Sequence, residues 1–262
     1  MKIPIYIVDA FAEKPFEGNP AAICPLDAWL DDTLMQNIAA ENNLSETAFF
    51  VPYQDHYHIR WFTPTTEVNL CGHATLASAF IVFEKLGLPG DEISFHSRSG
   101  KLSVKRQQDR LTLNFPVQTL QPAPAFRKDL AAALQTEIVD AFSGEDLIAV
   151  VSSEEDVLNC KPNLALITQL PFRGVIITAA GKQKDFVCRF FGPRTGVNED
   201  PVTGSAYTEL MPYWSNMLKK KQLTARQLSA RGGNVECCLV DNNRVLISGY
   251  ARLYLEGFLL IE

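Results

Sequence analysis

The 262 residues are 47% hydrophobic and 21% charged, a globular balance with length enough for one large or two small cored domains; disordered, collagen-like and low-complexity chains are excluded. Lys plus Arg number 24 against 30 Asp plus Glu, and the net charge of −6 repels nucleic acid and anionic membrane, so neither is an expected partner. No apolar stretch reaches the roughly 18–20 residues of a membrane helix, because Asp9, Glu13, Arg60, Glu84 and Lys85 interrupt the candidates.

The start, MKIPIYIVDA, meets an acid too early for a secretory signal, and a soluble cytoplasmic protein is the expectation. Alternation and β-branched content predict strands over Ile3–Val8, Thr47–Val51, His56–Phe62, Ile93–His96, Leu102–Val104 and Leu111–Phe115. Between them, Asp32 or Thr33 to Asn42 reads as a helix with Leu34, Met35 and Ile38 on one face. The segment Ala74–Phe83 is apolar on nearly every side, so a helix there has to be surrounded by protein. His56 and His58, alternate residues on a strand, are read without a carboxylate or cysteine partner as surface or half-buried residues, and no metal ligand is assigned.

The proline-rich, aperiodic stretch Pro116–Pro124 marks a boundary. It suggests an N-terminal domain over 1–118, joined by a last strand near 250–262, and a C-terminal domain over 119–250. Beyond it, Lys128–Gln135 and Tyr207–Leu218 read as helices, the second kinked at Pro212 or carrying an irregular turn there. Strands are expected at Asp146–Val151, Gly174–Thr178, Phe186–Phe191, Val235–Val240, Arg244–Ile247 and Arg252–Leu259. Lys219-Lys220-Lys221 sits at a helix end, where cations complement the dipole and need no partner. Six cysteines without CxxC or regular spacing read as reduced thiols.

The most informative feature is an internal repeat. Residues 60–69, RWFTPTTEVN, and 189–198, RFFGPRTGVN, share six of ten residues at an offset of 129, about half the chain, which signals duplication rather than a solenoid. Both copies run on to a glycine and a helix: Cys71-Gly72-His73-Ala74, then Thr203-Gly204-Ser205-Ala206. A helix start offers free N–H groups and a positive dipole end, so each copy presents a cradle for a small carboxylate. If the two halves face each other, both cradles open into one cleft. Glu46 lies where a polar loop enters an apolar strand, and burial there would tune it to accept and return a proton. The same offset sets Val175 opposite Glu46, so the two halves cannot do identical work.

Several segments in order resemble the PhzF-like (phenazine-biosynthesis-like) isomerase family of the diaminopimelate-epimerase-like fold, along the whole chain. They are Asp9-Ala10-Phe11, Gly18-Asn19-Pro20-Ala21-Ala22, Ser45-Glu46-Thr47-Ala48, Arg60-Trp61-Phe62-Thr63-Pro64, Leu70-Cys71-Gly72-His73-Ala74, Asn198-Glu199-Asp200-Pro201-Val202-Thr203-Gly204-Ser205-Ala206 and Arg231-Gly232-Gly233. The resemblance implies an α+β duplicated two-domain fold, each half a curved β-sheet or barrel around a central buried helix, assembled as a homodimer. It implies an isomerase without metal or organic cofactor that moves a proton between carbons of a small, amino-acid-like carboxylate. Glu46 would be the acid/base, and His73 and Asp200 would be catalytic beside it, orienting the substrate and relaying protons. Asn19, Cys71, Gly72, Thr203, Gly204 and Ser205 would bind it. Related epimerases oppose two cysteines, whereas this chain has Cys71 at the first place and Asp200 at the second. That departure favours a single-carboxylate isomerisation over a two-thiol racemisation. An epimerase using Cys71, or an idle small-molecule binding protein, are the competing readings.

Overall fold

The structure, a computed structural model, describes residues 1–241 and 243–261. It is α+β and forms two compact units, Met1–Asn114 with Ser248–Glu262, and Phe115–Ile247.

The first unit begins with β1 (Lys2–Ala10), β2 (Asn19–Pro25), α1 (Asp32–Asn42), β3 (Glu46–Tyr53), β4 (His56–Phe62) and β5 (Glu67–Val68). It continues with α2 (Gly72–Glu84), β6 (Glu92–Ser97), β7 (Gly100–Gln107) and β8 (Arg110–Pro116). The second has β9 (Gln121–Pro122), α3 (Arg127–Leu134), β10 (Asp140–Ser143), β11 (Leu147–Val150), α4 (Glu154–Asn159), α5 (Leu164–Gln169) and β12 (Val175–Ala180). After these come β13 (Phe186–Gly192), β14 (Val197–Asp200), α6 (Ala206–Leu218), β15 (Gln222–Gln227), β16 (Gly233–Asp241) and β17 (Arg244–Gly249); β18 (Ala251–Leu260) returns to the first unit.

The duplication read from ten residues extends to the pairing of whole units. β1 pairs antiparallel with β2, and β10 with β11. β2 runs parallel to β3 with Ala21 opposite Glu46; β11 runs parallel to β12 with Leu147 opposite Val175. Glu46 and Val175 are thus each the first residue of a corresponding strand. Antiparallel β3–β4 and β4–β5 answer β12–β13 and β13–β14, and the parallel pairs β4–β6 and β13–β15 also correspond. Antiparallel β18 on β1 matches β9 on β10. The repeated arginines do the same work in each copy. Arg60 forks onto Glu67 through Nε and Nη2, both at 2.8 Å, and Arg189 onto Glu199 at 2.7 and 3.0 Å, tying β4 to β5 and β13 to β14.

Strand alternation gives the sheet two buried faces. In the first unit, Ile3, Ile5, Ala22, Cys24, Phe49, Val51 and Phe62 pack with Met35, Ile38 and Ala39 of α1. α2 lies against β1, β2, β3 and β7, and its residues are buried all round except Phe80 and Glu84, as an apolar segment of that kind requires. In the second unit α3, α4 and α5 cover Ala141, Leu147, Ala149, Val175, Ile177 and Phe191. On α6, Trp214 stacks on Phe186 at 5.7 Å and donates to Thr178 Oγ1 at 3.0 Å.

Three expectations need correction. α6 is one helix through Pro212 with no irregular turn there, because the Thr208 carbonyl that a proline cannot bond accepts instead from the Gln118 amide at 3.1 Å. β2 and β15 were not foreseen: NPAAICP is poor in β-branched residues and QLTARQ follows a lysine run, yet both are held by neighbouring strands. Nor were α4 and α5, each only six residues long, although Ser153 and Asn163 cap them by accepting from Asp156 N and Leu166 N. The lysine run is met within the chain itself, in keeping with a run that needs no external partner. Lys220 pairs with Asp185 at 2.8 Å and Lys219 donates to Asn216. Among the described residues no helix is long and apolar enough to cross a membrane, and the six cysteines form no disulfide.

Candidate active site

In the first unit three of the proposed residues gather around the imidazole of a fourth, His73. Gly18 sits in the left-handed region at φ +68°, where a Cβ would lie 2.1 Å from the Ala10 carbonyl oxygen; only glycine lets the chain fold back there and start β2 with Asn19 beside Ala10. α1 ends on Asn43, left-handed at φ 49°, and the short turn that follows delivers Glu46 to the head of β3. Cys71 is the residue before α2, Gly72 its first and His73 its second.

The His73 Nδ1 atom is 3.3 Å from Asn19 Nδ2 and 3.5 Å from Cys71 Sγ, and its Nε2 is 3.2 Å from Glu46 Oε2. An amide N–H donates, so with Asn19 Nδ2 at Nδ1 that nitrogen accepts, and the ring proton sits on Nε2, facing the Glu46 carboxylate. Burial drives the His73 imidazole down to about 3, which keeps it neutral across the physiological range. The first helical bond of α2 runs from Thr75 N to Cys71 O at 3.2 Å. The amides of Gly72, His73 and Ala74 therefore precede the helical ladder and, with the dipole, favour negative charge beside the imidazole.

Glu46, Cys71 and His73 bring ligand atoms within 4.8 Å of one another, a donor set of zinc type. Within the cluster Cys71 Sγ stands at His73 Nδ1 and Glu46 Oε2 at Nε2 of the same ring.

In the second unit the proposed residues separate into two groups. Asp200, the last residue of β14, accepts from Thr203 Oγ1 at 2.6 Å. Both are fixed by the fully buried Gln227, whose Oε1 accepts from Thr203 N at 2.9 Å while its Nε2 donates to Asp200 O at 2.7 Å. Ser205 belongs elsewhere: its Oγ accepts from Arg173 Nη2 at 3.0 Å, and Arg173 also forks onto Asp146 at 2.9 and 2.5 Å. Asp146 is fully buried, and Glu209 accepts from its amide at 3.3 Å. Burial, reinforced by the Asp146 charge, pushes the Glu209 carboxyl up to about 8. Gly144 makes room for it, since a Cβ there would stand 2.0 Å from Glu209 Oε1.

The two helix starts are not twins as the repeat suggested. The amides of Ala206, Tyr207 and Thr208 are taken by the carbonyls of Thr203, Gly204 and Ser205, so at α6 only Gly204 and Ser205 precede the bonded turn. The sequence reading missed Gln227, Arg173, Asp146 and Glu209. Two signals were present: Gln227 continues the buried alternation Leu223, Ala225, Gln227, and Glu209 is an acid inside the apolar run of α6. Asp146 and Arg173, 27 residues apart, left none.

A family model described as phenazine biosynthesis-like protein matches residues 8–257. An uncharacterized isomerase of Pseudomonas aeruginosa is 50% identical over 260 residues, 99% of each chain. The crystal structure of a PhzF-family phenazine biosynthesis protein from Enterococcus faecalis superimposes with a TM-score of 0.96 at 45% identity, covering 100% of both chains. A hydroxyproline epimerase from Agrobacterium vitis shares the fold alone, with a TM-score of 0.63 at 10% identity over 98% of this chain and 92% of that one. With a match over nearly its whole length and relatives of this closeness, the chain belongs to the phenazine biosynthesis-like family and is one of its isomerases.

Proposed function

We propose that this isomerase moves a proton between two carbons of a small carboxylate-bearing, amino-acid-like substrate without a cofactor, and that Glu46 is the acid/base. The observation that carries the reading is the buried cluster at the start of α2. A glutamate oxygen lies 3.2 Å from a neutral imidazole that is itself held on its other nitrogen by Asn19 and Cys71. The Glu46 carboxylate takes the proton from one carbon, the C–H electron pair delocalises toward the substrate carboxylate, and the same carboxyl returns the proton to another carbon. The step is redox-neutral and regenerates the base. The Nε2–H of His73 and the leading amides of α2 are preorganised donors for the charge that develops in between. In the second unit Asp200, Thr203 and the Gly204-Ser205 amides are proposed as polar binding groups.

The test is incubation with candidate amino and hydroxy acids in heavy water. Glu46→Gln is expected to lose solvent-deuterium incorporation while binding persists; unchanged incorporation removes Glu46 from the reaction. One observation supports an alternative, an epimerase using Cys71: its sulfur is 3.5 Å from His73 Nδ1 and could pass a proton to the ring. Cys71→Ala separates the two, costing little in proton relocation by Glu46 and nearly all activity in thiol-based epimerisation.

A further inference from the structure

His56 and His58 do have companions, contrary to the sequence reading. β4 runs parallel to β6 with His58 in register with His96, and Tyr57 in register with Phe95. Alternation turns Tyr57 and Phe95 to one side, where both meet Phe50, and leaves the three histidines together on the other. The ring centroids of His56 and His96 are 4.0 Å apart, those of His56 and His58 5.2 Å, and those of His58 and His96 5.9 Å. One nitrogen from each lies within 4.8 Å of the others. Tyr53 closes one side, its ring 4.8 Å from His58 and 5.2 Å from His56.

A carboxylate completes the arrangement. Asp55 Oδ1 stands 3.2 Å from His56 Nδ1, where a carboxylate can only accept, so Nδ1 donates and the Nε2 lone pair is the one a neutral ring offers to an ion. That Nε2 is buried and has no hydrogen-bond partner, although the side chain is 12% exposed. A buried lone pair beside two further imidazoles, on a ring oriented by an acid, is the arrangement of a carboxylate–histidine–metal site. Metal–nitrogen bonds of about 2.0–2.1 Å in a tetrahedral shell set nitrogens about 3.3 Å apart, so modest rotations of the half-buried rings would complete the triad. Lys101 lies opposite His96 across β6 and β7; it is exposed and long enough to swing clear.

We propose that His56, His58 and His96 form a site for one divalent transition-metal ion of zinc type, with Asp55 orienting His56 and water completing the shell. The ion would clip β4 to β6 and is independent of the chemistry assigned to Glu46. The probe is Co²⁺, followed by Zn²⁺ competition, on tag-free protein. One equivalent is expected to give the visible bands of a tetrahedral histidine-ligated ion, displaced by Zn²⁺, and Zn²⁺ should raise the melting temperature. His58→Ala and His96→Ala should each abolish the spectrum, and Asp55→Asn should weaken binding about 10–100-fold. Cys71→Ser should leave the spectrum unchanged. Absence of one-to-one binding at micromolar metal, binding that survives His96→Ala, or a sulfur-to-metal charge-transfer band lost in Cys71→Ser would each overturn the assignment. Circular dichroism of the variants guards against misfolding, and Zn²⁺-independent retention of activity in His96→Ala keeps this test separate from that of Glu46.

Discussion

Replacing Arg173 by methionine removes the cation from a carboxylate that has no access to water. Asp146 has 0% of its side chain exposed and holds Arg173 through bonds of 2.9 and 2.5 Å, while Arg173 is 28% exposed. Breaking a buried pair from one side costs about 3–5 kcal/mol, and the partial exposure of the arginine sets the expectation at the lower end, about 3 kcal/mol near pH 8. The loss must depend on pH, because Glu209 shares the site. Its carboxyl is raised from 4.5 to about 8 by burial and by the Asp146 charge, so the folded protein keeps a proton that the unfolded chain has released. That contribution is fully present below about pH 4.5 and is lost as pH rises toward 8, at no more than about 1.4 kcal/mol per pH unit. Without the Arg173 charge, which lowers Glu209, the carboxyl moves further up and the fall with pH becomes longer. Arg173→Met should therefore cost about 3 kcal/mol at pH 8 and more at about pH 9.5, where the wild-type Glu209 has already ionised and the variant is still losing its proton. Hydrogen exchange of β11 and β12, alongside urea unfolding at both pH values, measures it. The double variant Asp146→Leu, Arg173→Met should recover most of the loss. A cost below about 1 kcal/mol at pH 8, or an equal cost at both pH values, refutes the reasoning.

Two other expectations concern the proposed chemistry. Gln227→Ala leaves Thr203 N and Asp200 O without their partner, at about 1–3 kcal/mol per buried group; thermal unfolding should show that loss, and turnover should fall in parallel as Asp200 loses its support. Because burial holds His73 near 3, the pH profile of kcat/KM should show no ionisation of this residue between pH 5 and 8. An inflection in that range that disappears in His73→Gln would show the imidazole to be protonated during turnover.

The sequence alone carried what is local or repeated. Periodicity placed α1, α2, α3, α6 and most long strands, since a run of side chains reports its own burial; the all-round burial of α2 followed from its apolarity. The ten-residue repeat announced the duplication, and the strand pairing extends it to corresponding elements such as β3 and β12, headed by Glu46 and Val175. What the chain could not show was which distant polar groups meet. Asn19, Glu46 and His73 converge because a parallel pair β2–β3 and a left-handed glycine bring three separate segments to one ring. Arg173 reaches Asp146, and His96 reaches His58, only because neighbouring strands bring residues far apart in sequence side by side. Pro212 teaches the same lesson in reverse: a local rule for breaking a helix gave way to one amide, that of Gln118, supplied from about ninety residues upstream. Hydrophobic pattern is written residue by residue, whereas hydrogen-bond and charge partners are chosen by strand register, which exists only in the folded chain.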